Sequence, residues 1–306
     1  MPNQDPPRNR EAELLPDPFW AADLASLRGQ DFALHWYRWQ LGLTILAALF
    51  GTFPAHRVHS INIVPLLSLA CFAAAGLTAW RLHRRAPQEQ WYEGRSAAEA
   101  VKALTWKYVV RAQPFEGDSN DEDAAKLYDT LVREVPFTFK DDRRLPLGPE
   151  SQINDEMRRR RAGTLSERRE LYLTERVRSQ RVWYESRAND CDQKVQVAGL
   201  FVALLFSAGM VIAALEATVW SSMHALGLIS ACAAASMAWS QLKQYRPLAA
   251  SYRLAARELD RIDAELTRVP LTGPHAETEW SHHAKEAEDA ISREHIVWRA
   301  RSQHRV

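Results

Sequence analysis

Cysteine is scarce: Cys71, Cys191 and Cys232 are the only three in 306 residues, too few and too scattered for a disulfide framework or a zinc-ligand spacing. Two of them lie inside apolar runs, where a thiol packs as a small hydrophobe. An excess of charge of one sign is also missing. With a formal net charge of +1, the chain as a whole exerts no pull on nucleic acid or anionic lipid, and any electrostatic partner must meet a local patch; no nucleic-acid partner is expected. No G-x-S-x-G elbow, phosphate loop or dinucleotide fingerprint occurs, which argues against an enzyme, and no cofactor or metal is expected. The opening MPNQDPPRNREAELLPDP has no basic start, short apolar run or small-residue cleavage site of a secretory signal. Residues 1–16 are expected to be disordered.

What is present is a set of long uncharged runs. Residues 195–215, VQVAGLFVALLFSAGMVIAAL, hold 21 residues without charge, eleven of them Leu, Val, Ile or Phe. At 1.5 Å per residue this crosses a hydrocarbon core of roughly 30 Å. At about 0.3–0.6 kcal/mol per strongly apolar residue, insertion is favoured by roughly 3–6 kcal/mol, enough to outweigh Gln196 and Ser207. Residues 217–240 carry no formal charge either, although Ala, Ser and Gly dominate them. Residues 61–80 give another span, with Pro65 near its start, where a missing amide costs little. From Leu41 to Pro54 only 14 residues are apolar. A full crossing over about residues 36–54 then starts near Trp36 and lets Arg38 snorkel to the headgroups beside Trp36, Tyr37 and Trp39. The alternative is a buried soluble helix; the short loop to the next span favours crossing, since a hairpin needs two arms.

Twelve Lys and Arg flank the outer ends of these hairpins, including Arg81, Arg84, Arg85, Lys194, Lys243 and Arg246, whereas the hairpin loops carry only Arg57. The positive-inside rule then places both termini and the central region in the cytoplasm of a multi-pass protein of a bacterial inner membrane. The expected architecture is all-α: two transmembrane helical hairpins, hence four spans, with long cytoplasmic helices forming a bundle. A first two-span repeat over residues 17–140, a linker over 141–163, a second repeat over 164–270 and a C-terminal cytoplasmic helix over 271–306 complete the organisation.

The division into repeats rests on recurring residues. Each hairpin ends in a tryptophan, Trp80 or Trp239, followed 12 or 13 residues later by Tyr92 or Tyr252 and then by Ala97-Ala98 or Ala255-Ala256. A Trp-Tyr pair recurs upstream as Trp36-Tyr37 and Trp183-Tyr184. The segment Trp91-Tyr92-Glu93-Gly94-Arg95, with Glu99 and the continuation through Trp106 to Phe115, resembles the SLATT family of two-transmembrane effector domains, associated with bacterial nucleotide-second-messenger and SLOG systems. The second hairpin looks like a second copy. The resemblance implies a membrane pore used in defence against invading elements, a partner sensor, and no catalytic residues.

After the last span, Tyr245, Leu248, Tyr252, Ala255, Leu259, Ile262, Leu266 and Val269 recur at steps of three and four. Such a seam suits a coiled coil or, slightly better at this length, packing within a bundle. Pro247 is expected to kink or restart the helix, and Pro270 with Gly273-Pro274 to end it. In the first copy a helix from about Pro87 to Arg111 presents Ala97, Val101, Leu104 and Tyr108. A further helix carries Ala124, Leu127, Leu131 and Val132. From Leu165 a helix bearing Leu173, Val177, Tyr184, Ala188 and Cys191 is expected to run unbroken into the third span.

Several residues invite a functional reading. On the last span, 100° per residue places Ser222, Ser236 and Ser240 on one face, candidates for lining water, although serines in such helices commonly bond their own backbone. Gly227, Ala231 and Ala235 fall on the opposite face, where small residues let another helix approach. Arg158, Arg159, Arg160 and Arg161 form the strongest local charge and suit anionic lipid headgroups, at about 1 kcal/mol each near a surface, or a ligand phosphate. Acidic neighbours favour a plain solvated face instead. Glu279, His282, His283 and Glu286 share a helical face, but a solvated amphipathic helix explains them better than a metal. The expected function is a homo-oligomeric pore or channel-like membrane effector, answering a nucleotide second messenger or a soluble sensor. The rival is a non-conducting membrane-anchored scaffold for a soluble partner.

Overall fold

In the computed structural model, residues 9–53, 57–58, 61–85, 87–117, 121–136, 147, 150–218 and 225–303 are described. Helices dominate: α1 Asn9–Leu14, α2 Asp17–Gly51, α3 Ile63–Arg85, α4 Pro87–Val109, α5 Asp121–Glu134, α6 Asp155–Arg161, α7 Leu165–Leu171, α8 Ser179–Thr218, α9 Ala225–Lys243, α10 Tyr245–Arg268 and α11 Ala276–Gln303. Among the described residues the exception is an antiparallel pair of two-residue strands, β1 Arg57–Val58 and β2 Ile61–Asn62, in the first hairpin loop.

Local chemistry accounts for most helix ends. Pro18, Pro65, Pro87 and Pro247 all fall in the first turn of their helices, where the amide they lack has no intrahelical acceptor to miss. Asn154 caps α6 by accepting from the Met157 amide at 2.8 Å. Thr164 and Glu167 form a reciprocal capping box on α7. The break between α9 and α10 lies at Gln244, whose φ is 49°, three residues before the proline expected to cause it. No proline interrupts residues 165–218, and the chain is helical throughout that stretch. Between α7 and α8, however, Tyr172–Arg178 winds as a π-helix.

The chain divides into two compact units, each drawing on both halves of the sequence: one comprises Gln30–Pro87 and Ala188–Ala250, the other residues up to Gly29, Gln88–Arg187 and residues from Ser251 on. The division therefore cuts across the two sequence repeats instead of separating them. The first unit has few large buried side chains. Its internal contacts are made by small or short residues such as Ala33, Ala47, Ala75, Ala233 and Ala235, and Ser68 on α3 donates to the Ala47 carbonyl of α2 at 3.0 Å.

The second unit is a conventional helical bundle with an aromatic core. Trp106 and Trp280 are fully buried and flank Tyr172 edge-on, with ring centroids 5.7 and 6.0 Å away. Ala255, Leu259, Ile262, Leu266 and Val269 of the α10 seam all enter this core, so the heptad packs within a single chain. Two expectations need correction. Residues 9–16 are not disordered: α1 forms, and Leu14 and Leu15 reach the core, because two adjacent leucines gain more from burial than a short segment loses in chain entropy. On α5, Leu127 faces out while Tyr128 takes the core position and shares a hydrogen bond of 2.9 Å with Thr105.

Candidate membrane surface and buried ion network

In the first unit most large apolar side chains point outward, Leu82 and Leu248 being buried. Leu69 and Phe72 on α3, and Val197, Leu200, Leu204 and Met210 on α8, are all more than half exposed. Contiguous apolar surface of this kind is not tolerated in water, and marks a membrane or a partner. Three helical stretches, within Ile63–Val109, Leu165–Leu215 and Ala225–Arg268, are long and apolar enough to cross a membrane. Helix α2 is not among them by that measure, although its 35 residues are continuous.

A collar of aromatic rings and cations marks one end of this unit. The guanidinium carbon of Arg81 lies 5.6 Å from the Trp36 ring centroid, that of Arg85 5.3 Å from Phe32, and that of Arg38 5.6 Å from Trp239. Trp80 lies under Arg84 at 4.7 Å and Trp239 under Lys243 at 5.1 Å. In both pairs the cation stands four residues after the tryptophan, so the two tryptophans that mark the sequence repeat also have matching surroundings. The upstream Trp-Tyr pairs do not match: Trp36 belongs to the collar, whereas Trp183 and Tyr184 both stack with Tyr252 at 5.7 Å in the other unit.

The candidate residues of α9 are only partly brought together. Ser236 donates to the Cys232 carbonyl at 2.7 Å, the ordinary backbone bond of a helical serine; Ser240 is half-buried; Ser222 lies outside the described residues. Ala235 is buried and Ala231 half-buried, but Gly227 is exposed and a Cβ there would meet nothing within 4 Å. The close approach between α8 and α9 uses Gly209 instead, where a Cβ would lie 3.5 Å from Ile229.

The family-like segment at the start of α4 is a packing device. A Cβ on Gly94 would stand 2.8 Å from the Ser26 backbone nitrogen and 2.9 Å from the Ala22 carbonyl oxygen, so only glycine lets α4 lie this close on α2. Ser26 donates to the Trp91 carbonyl at 3.2 Å across the same crossing. Trp91 is buried with its ring 4.4 Å from that of Tyr92, while Glu93 is exposed. Arg95 pairs with Glu99 and lies 3.9 Å from Asp23. Burial raises the Asp23 pKa despite the opposing charge of Arg95.

The arginine run divides. Arg158 and Arg159 are exposed, and Glu156 holds Arg159 at 2.7 Å and Arg160 at 2.6 Å. Arg161 is buried. It donates to the Tyr108 carbonyl at 2.6 Å and the Phe115 carbonyl at 3.0 Å and stacks on the Tyr108 ring. It ties α6 to the end of α4 and cannot reach a headgroup or a ligand, because the last carbonyls of a helix need a donor and a buried guanidinium supplies several. His282 and His283 lie 3.3 and 3.7 Å from Glu286 on the exposed face of α11.

The strongest electrostatic feature was not legible in the sequence. Arg176, on the π-helical segment, is 1% exposed and faces Glu288 of α11, itself fully buried. Its Nε and Nη2 donate to the two carboxylate oxygens at 2.9 and 3.1 Å, and the Tyr172 hydroxyl donates to the same carboxylate at 2.8 Å. Glu11 completes the network. It accepts from Trp106 at 3.1 Å, pairs with Lys102 at 2.8 Å and lies 3.9 Å from Arg176. Burial opposes the charge on Arg176, but the Glu288 carboxylate and Glu11 outweigh it and raise the pKa. Burial pushes the Tyr172 phenol well up, and the Glu288 charge pushes it further. The π-helical winding puts Tyr172 and Arg176 on one face toward Glu288; windings of this type recur at functional positions in helices.

Two family models account for nearly the whole described chain. SMODS and SLOG-associating 2TM effector domain 3 matches residues 16–169, and SMODS and SLOG-associating 2TM effector domain 1 matches residues 172–298. Their junction falls where the π-helical segment begins. No curated protein and no solved structure matches the chain. With an outward apolar unit, matching collar tryptophans and both halves matched by these models, the chain belongs to the SLATT family of two-transmembrane effector domains and carries two of them in tandem.

Proposed function

We propose that the chain is a pore-forming or channel-like effector of a bacterial conflict system, seated in the inner membrane with both termini in the cytoplasm and opening on a cytoplasmic signal. The observation that carries this reading is the outward apolar surface of α3 and α8 in a chain built of two effector domains. Four spans follow if each domain contributes two. In the first domain only the α3 stretch is apolar enough alone, so α2 is the natural second arm, bonded to α3 through Ser68. Few charges lie between the collar and the far end, and four thin spans cannot enclose a wide path, so conduction requires several copies.

The signal, a nucleotide second messenger or a soluble sensor protein, is received by the helical bundle, and no catalytic step is involved. Induced expression with a membrane-potential dye tests the proposal. Growth arrest with depolarisation supports the pore. Membrane localisation with normal growth and an intact potential, in the presence of the signal, supports the rival scaffold.

A further inference from the structure

The cations of the two units keep different company. In the helical bundle several arginines pair with carboxylates, Arg160 with Glu156, Arg168 with Glu277, Arg176 with Glu288 and Arg178 with Asp263, and the ring-stacked Arg161 is buried with its donors used on the Tyr108 and Phe115 carbonyls. In the collar, Arg38, Arg81, Arg84 and Arg85 are all exposed and lie over aromatic rings. None of the four forms an ion pair with a carboxylate among the described residues. Residues 30–87 hold only one acidic residue, Asp31, against these four and Arg57.

A guanidinium stacked on a ring spends its face on the π-system and keeps its edge N–H donors for a planar or tetrahedral anion. The rings also hold the side chains in place, so less rotamer freedom is lost on binding. From Phe32 to Arg38 the collar is about 9 Å deep along α2, close to the depth of one headgroup layer and far short of a hydrocarbon core. Apolar surface continues directly from it, through Leu77, Phe72 and Leu69 on α3.

We propose that Arg38, Arg81, Arg84 and Arg85 form a binding surface for the phosphate headgroups of anionic phospholipid, with the surrounding tryptophans at the same interfacial level. This rests on the membrane reading above and goes further, because it assigns a lipid class and four residues. It also moves the phosphate contact away from the Arg158–Arg161 run, where Arg161 is buried and Glu156 holds Arg159 and Arg160.

The test uses the full chain in detergent, with its unfolding temperature followed as phosphatidylglycerol, phosphatidylcholine or inorganic phosphate is added. Phosphatidylglycerol should raise the transition in a saturable way, and the other two should not. Replacing arginines by glutamine in R38Q, R81Q, R84Q and R85Q combined should abolish the response, at roughly fivefold in affinity per arginine. R158Q with R159Q should leave it intact. If the fourfold variant does not fold, the pair R81Q and R84Q decides, with affinity expected to fall about 25-fold by the same measure. A wild-type response in the folded variant, an equal response to phosphatidylcholine, or the same response to inorganic phosphate overturns the proposal. A detergent-requiring chain indifferent to phosphatidylglycerol overturns it while leaving the membrane reading in place; a chain that stays dissolved without detergent overturns both.

Discussion

Gly94 and the Arg176–Glu288 pair show how much a single residue decides in the helical bundle. A side chain at Gly94 meets backbone atoms of Ser26 and Ala22 below 3.0 Å, and backbone cannot step aside as a flexible side chain can. Gly94→Val is therefore expected to lower stability by about 1–3 kcal/mol through forced separation of α2 and α4, read as a fall in the unfolding temperature of the purified chain. Glu288→Leu leaves a buried guanidinium without its carboxylate and should cost about 3–5 kcal/mol. The double change Arg176→Met with Glu288→Leu should recover much of that loss, since removing both charges avoids the unpaired one; a double variant no more stable than the single would show that the pair is not coupled. Asp289 offers a pH handle. Burial alone would raise its pKa, but Lys107 at 2.5 Å and Lys285 at 3.1 Å hold it below the ordinary value of 3.8. A carboxylate depressed in the folded state contributes stability above its unfolded pKa and loses it as pH falls through the folded one. Wild type and Asp289→Asn should accordingly differ in unfolding temperature at neutral pH and converge in strong acid.

Among the elements, α2 is the one whose role depends most on its neighbours. Its apolar stretch is short, yet it is unbroken from Asp17 to Gly51 and is bonded to α3 near its far end. If it crosses the bilayer, a single cysteine at Phe53, in a chain whose three native cysteines are replaced, reacts with a membrane-impermeant maleimide from outside the cell. A cysteine at Arg28 reacts only after the membrane is opened. Reaction of both from the same side would leave α2 as a helix that does not cross. The heptad of α10 teaches a related lesson. Its period was plain in the sequence, but a three-four repeat fits a partner helix of the same chain as well as one from another copy. The core residues of α4, the π-helical segment and α11 decide for the first. In the same way the seven residues of π-helix have no sequence marker, and neither do the bonds that Tyr172 and Arg176 on them make to Glu288.

At the scale of the whole molecule, the two units divide the labour of the sequence. One presents apolar side chains outward and small ones inward, the reverse of the other. The pore reading requires more than one copy in the membrane. Crosslinking of the chain in native membranes, followed by mass determination in detergent, should give a defined multimer, and a strict monomer under conditions that depolarise cells would exclude a shared pore.

Length and period are local properties, so the sequence by itself determined the apolar spans, the duplicated tryptophans, the α10 seam and the family. Which charges are spent inside and which remain outside is not local. Arg161 and Arg158 stand in one run of identical residues, and only the fold buries the first against the carbonyls of Tyr108 and Phe115. Arg176 and Glu288 are 112 residues apart, and nothing nearer in sequence foretells their meeting. Tertiary structure made these choices because burial removes water from a charge, and a charge without water must find its partner wherever the chain can bring one.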